Sequence, residues 1–95
     1  MLREMRPVLG EIGKKDGDLL RQARRAATSV LLNAAEGAGN CGGNRRERYR
    51  TALGSMRETT ACFDAAEALG YVDGVPEGLR AKMDHVTGTL LKLAA

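Results

Sequence analysis

The sequence predicts an all-α protein, an antiparallel up-down-up-down four-helix bundle with a short first helix. Three observations predict it. Apolar residues recur at spacings of three and four along four separate segments, the period of one helix face. Short turns containing Gly, Pro or Asp divide those segments, which makes consecutive helices antiparallel neighbours. Aromatic residues are only 3% of the chain and Trp is absent, so Leu, Ala, Val and Met must build the core, as suits helix-on-helix packing. No strand-like alternation persists. A chain of 95 residues supports one domain, residues 1–95, with the marginal stability of its size.

The first helix is expected over about Arg3–Ile12, where Leu2, Met5, Leu9 and Ile12 share a face. Pro7 is tolerable there only if the helix begins a few residues earlier. The segment from Gly13 to Asp18 reads as the turn, with Asp16 or Asp18 capping the next helix. The second helix, about Asp18–Glu36, carries the seam Leu20, Ala23, Ala27, Val30 and Ala34. Gly37 is expected to stop it in the left-handed conformation that glycine accepts, opening a flexible turn through Cys41 to Gly43.

The third helix is expected over about Arg45–Leu69, with Asn44 as cap and Glu47 completing a capping box. Its seam is Tyr49, Leu53, Met56, Thr60 and Phe63, drifting towards Ala66 because Glu67 falls next in phase. Gly70-Tyr71 reads as a glycine stop followed by an apolar residue. The fourth helix should start near Pro76 and bury Leu79, Met83, Val86, Leu90 and Leu93. At 1.5 Å per residue the third helix would be about 37 Å long and the first about 15 Å, too short to cover two long seams. A second face of the third helix, Gly54, Ala61, Ala65 and Ala68, is made of small residues that let another backbone approach. Both features point to burial by further subunits; the plainer reading is an exposed Ala face, which helix propensity alone explains.

Charge is uneven along the chain. Residues 1–50 carry eleven Lys or Arg against six Asp or Glu, and residues 51–95 carry four against six, within a formal net charge of +3. Arg45, Arg46 and Arg48 fall in the first turn of the third helix, where cations oppose the macrodipole and an anion would relieve them. Arg50, with Arg21, Arg24 and Arg25, extends the patch. The competing reading is a solubilising helix end, and no phosphate-loop pattern is present. On the second helix Gln22, Arg25, Ser29, Asn33 and Glu36 form a polar stripe opposite the seam, and Ser55 and Glu58 lie within one turn on the third. These polar groups either close hydrogen bonds among themselves and fix helix pairing, or present a recognition surface.

Catalysis finds little support. His85 is alone, Ser29 and Ser55 have no base partner, and the arginines near Glu36 and Glu58 favour ion pairing over a carboxylate pair. No enzymatic activity, cofactor or metal is expected. Cys41 and Cys62 have no zinc spacing and suit a reduced, cytoplasmic protein, with Cys41 in an exposed loop and Cys62 in a helix. No signal peptide or membrane span is visible.

The runs Gln22-Ala23-Arg24-Arg25-Ala26-Ala27-Thr28-Ser29, Asn33-Ala34-Ala35-Glu36-Gly37 and Gly54-Ser55-Met56-Arg57-Glu58 form a connected signature. It resembles the four-helix-bundle family first recognised as products of intervening sequences in bacterial 23S rRNA genes. The resemblance extends through Leu69-Gly70-Tyr71 and the leucine-rich last helix. It implies an antiparallel four-helix bundle, often a homopentamer. It also implies distant likeness to the accessory proteins of diversity-generating retroelements, basic pentamers that work with a reverse transcriptase and RNA. Two departures stand out: Asn40 occupies the place of the family's usual arginine, and the first helix is short. The expectation is therefore a homo-oligomer, with a pentamer favoured, that binds RNA or DNA through Arg24, Arg25, Arg45, Arg46, Arg48 and Arg50. Ser29, Asn33, Glu36, Gly37, Gly54, Ser55 and Glu58 would hold the scaffold. The alternative is a protein-interaction adaptor without nucleic-acid binding.

Overall fold

Four amphipathic segments become four helices. In the computed structural model, which describes residues 1–40 and 43–95, they are α1 (Leu2–Lys15), α2 (Gly17–Gly39), α3 (Gly43–Ala68) and α4 (Glu77–Ala94). Each packs on its neighbour in sequence, giving the expected antiparallel bundle. Its core runs from Met5, Val8 and Ile12 of α1 through Ala23, Ala27 and Val30 of α2 to Tyr49, Met56 and Phe63 of α3, and closes on Leu79, Met83 and Leu90 of α4. The molecule extends 43 × 24 × 20 Å, its long axis close to the roughly 39 Å that 26 helical residues span.

Helix α1 is longer than expected, because its apolar period holds through the whole of Leu2–Lys15. It starts five residues before Pro7, whose exposed position lets the carbonyl it leaves unpaired turn to water. Gly13, expected in the turn, lies inside α1. A Cβ there would stand 2.7 Å from Leu20 Cδ2, so its missing side chain lets α1 and α2 approach closely. The turn shrinks to Asp16 alone. Asp16 takes an extended conformation and accepts the Leu19 N–H at 2.9 Å, making it the N-cap of α2.

Gly37 does not stop α2. Helix α2 continues to Gly39, and the backbone turns extended at Asn40. Gly70 is the one glycine with positive φ among the described residues. What Gly37 provides is space: a Cβ there would meet the Tyr49 ring at 2.9 Å. Asn44 lies within α3, which begins at Gly43, so it is not the cap. The expected turn reaches Cys41, which lies outside the described residues.

In α3 the buried residue is Thr59 rather than Thr60, and Ala66 is buried, as the drift of the seam predicts. The helix ends as expected at Gly70, with φ of 76°. The Tyr71 N–H reaches the Ala66 carbonyl at 2.9 Å and the Gly70 N–H that of Glu67 at 3.1 Å, the paired bonds of a Schellman stop. Pro76 immediately precedes α4 as its N-cap. Leu93, expected in the core, is exposed, and Ala94 is buried instead. At about 21 Å, α1 leaves the far ends of α2 and α3 uncovered, and Leu31 is 55% exposed.

Candidate nucleic-acid interface

Antiparallel pairing of α2 and α3 brings Ser29 and Ser55 together, their hydroxyl oxygens 2.7 Å apart. One turn along α2, the Asn33 amide Nδ2 donates to both the carbonyl and the Oγ of Ser29, each at 3.0 Å. Both amide hydrogens are then used, which fixes Asn33 Oδ1 as an acceptor. The Arg48 guanidinium donates to that oxygen at 3.4 Å, a weak contact at the edge of hydrogen-bonding range. The Thr59 hydroxyl donates to the Ser55 carbonyl at 2.8 Å. No buried side-chain polar atom among the described residues lacks a partner.

Along α2 beside this network runs an open groove of about 750 Å³. Arg21, Arg24, Arg25, Thr28, Ser29, Leu32 and Asn33 line it, without an acidic residue. Arg25, Ser29 and Asn33 follow one another at single-turn spacing, so the groove climbs the helix from guanidinium groups to the serine–asparagine network. Arg21 is paired with Asp18 one turn earlier. Arg24 and Arg25 are exposed and make no ion pair among the described residues.

At the other end of the pair, Arg45, Arg46 and Arg48 are exposed near the start of α3, whose first turn carries no acidic residue. Arg45 lies over the Tyr49 ring, 5.7 Å from its centroid, a cation–π arrangement. Arg46 makes no ion pair among the described residues. Arg50 is engaged elsewhere: its Nη1 meets Glu47 at 2.8 Å and its Nε donates to the Ala94 carbonyl at 3.3 Å, at the end of α4. Arg50 therefore ties α3 to the last turn of α4, where a cation suits the helix dipole. A small polar hollow beside Arg48 is lined by Asn40, Asn44, Glu47 and Thr51.

The remaining motif residues are placed differently. Glu36 and Glu58 are exposed and join no hydrogen bond or ion pair among the described residues, so the polar network closes without them. Gly54 is exposed, with open space where a Cβ would stand. With exposed Ala61 and Ala68 it keeps the small-residue face of α3 largely uncovered. His85 is exposed on α4, and Cys62 is a buried free thiol whose pKa is pushed up by burial and by the Glu58 carboxylate. Among the described residues no group of His, Cys, Asp and Glu could hold a metal, and no helix is long and apolar enough to cross a membrane.

Sequence reasoning missed a second polar linkage. The Tyr71 hydroxyl donates to Asp16 Oδ2 at 3.2 Å, joining the α3–α4 connection to the cap of α2. The two residues are 55 positions apart, and no local pattern pairs them.

No curated protein and no solved structure matches this chain. A family model described as 23S rRNA-intervening sequence protein matches residues 11–92, from the end of α1 to the last turns of α4, with the Ser29–Asn33 and Ser55 signature in its middle. The chain therefore belongs to the 23S rRNA-intervening sequence protein family.

Proposed function

We propose that this chain is a non-enzymatic, cytoplasmic, homo-oligomeric bundle, a pentamer by preference, that binds structured RNA or DNA through a basic surface. The observation that carries the reading is the α2 groove, where Arg24 and Arg25 flank the Ser29–Asn33 network and the lining has no acidic residue. Arg48 joins the network from α3, and Arg45 and Arg46 continue the positive surface towards the start of that helix. Phosphates are the matching ligand, since guanidinium groups and a helix start both favour them. The family's name refers to ribosomal RNA, which agrees with a nucleic-acid partner.

Titration of labelled structured RNA and duplex DNA at about 50 and 200 mM salt tests the reading. Affinity should fall steeply with salt, because each neutralised phosphate releases counterions. Arg45→Glu with Arg46→Glu should weaken binding at least tenfold, about 1.4 kcal/mol, while the helical signal persists. Unchanged affinity in that variant would remove the start of α3 from the interface.

A second reading, a protein-interaction adaptor, is favoured by Leu31, Leu69, Leu91 and Leu93, which remain exposed on one chain. It predicts no salt-sensitive binding to nucleic acid. In either reading the exposed face of α3 is a candidate subunit contact, and Ala61→Glu should lower the mass in solution. A mass unchanged by Ala61→Glu and by Ala65→Glu excludes that face.

A further inference from the structure

We infer that the α2 groove receives an unpaired nucleotide, its base resting on Leu32 and its phosphates held by Arg24 and Arg25. The inference rests on the nucleic-acid reading above and narrows it to unpaired segments of the nucleic acid. Leu32 carries it. This side chain is 60% exposed, yet it lies in a groove whose other members are arginines, hydroxyl residues and an asparagine. A duplex offers phosphate and sugar to a basic surface and has little to gain from an apolar seat within it. An unpaired base has a wide face that is covered by stacking on aromatic rings and arginine planes or by packing against apolar side chains.

The groove has the parts for that task. Thr28 lies one turn before Leu32 and Arg25 two turns before it, so the methyl groups and a guanidinium plane share one stripe of α2. Arginine substitutes for the aromatic platform used elsewhere, since Tyr49 is buried and Tyr71 is committed to Asp16. Asn33 adds selectivity. Its amide is locked by Ser29, and Oδ1, which Arg48 meets only at 3.4 Å, keeps a second lone pair to accept from a base with an exocyclic amino group.

The test compares three probes by anisotropy at one salt concentration: a single strand of about ten nucleotides, the same strand with abasic sites at its centre, and the same sequence as duplex. The first two carry the same number of phosphates, so their difference reports the base alone. The native chain should prefer the intact strand to the abasic strand by about threefold, less than a base gains by stacking on an aromatic ring. Leu32→Ala should abolish that preference, while the exposed control Leu91→Ala should leave it in place. Equal affinity for intact and abasic strands in the native chain would overturn the inference and leave nucleic-acid binding standing. So would a Leu32→Ala variant that weakens all three probes together, as it would if another copy of the chain covered Leu32. Absence of binding to every probe would overturn both.

Discussion

Arg80 and Arg46 are the same residue type used in opposite ways. Arg80, on α4, meets Asp64 at 2.8 Å and also pairs with Glu67, so two carboxylates of α3 enclose one guanidinium. Its hydrogen bond holds the Glu67 carboxyl below the usual range, and the Val75 N–H adds to the effect. Among the described residues Arg46, near the start of α3, has neither a carboxylate partner nor a helix end of matching sign. One end of the α3 helix is electrostatically closed and the other is left open. The contrast teaches that charge count says little here, whereas pairing separates residues that hold the bundle from residues free to meet a partner.

The largest effect should come from the closed end. Asp16→Ala removes the cap of Leu19 and the acceptor of Tyr71 together, at a cost of about 2 kcal/mol by the usual values for a cap and a hydrogen bond. Thermal unfolding should show a midpoint lower by roughly 10 °C for a domain of this size. A midpoint unchanged within error would mean that Asp16 carries neither load. Arg80→Ala comes next, at about 1 kcal/mol, because its ion pairs are partly exposed and solvent discounts them. Chemical denaturation of Asp64→Asn and of the double variant would separate the pair from the loss of packing.

Arg46→Glu should be stabilising at the open end, by a few tenths of a kcal/mol, since an anion near the start of a helix suits its dipole. The same variant should bind nucleic acid more weakly. A drop in stability would show that Arg46 has a structural partner and would erase the contrast with Arg80. The smallest effect concerns Glu4, whose carboxyl is lowered to about 2 by hydrogen bonds from Lys82 and the chain's amino terminus. Its contribution is complete at neutral pH and is lost as pH falls from about 4.5 through about 2. Glu4→Gln should therefore flatten stability against pH in that acid window and nowhere else.

Much of the fold was legible because helix period and stop signals are local. The Gly70 stop, the Asp16 cap and the drift to Ala66 all depend on residues within a turn or two. Gly37 was legible as a special position but for the wrong reason. Its role is set by a tyrosine twelve residues later on another helix, which no local rule contains. Arg50 reads as one more cation in a basic run until α4 brings the Ala94 carbonyl to it. Of the polar signature, Ser29, Asn33 and Ser55 converge as spacing on facing helices implies. Glu36 and Glu58 are exposed and have no partner among the described residues.

One residue, Asp16, separates α1 from α2. A joint so short couples the two helices in phase. Adding or deleting a single residue there would turn α1 by about 100° about its own axis. Met5, Val8 and Ile12 would swing out of the core together, carrying a whole apolar face into water. The chain is thus stiff in its sequence length at the Asp16 end of α2, where register and burial are set together.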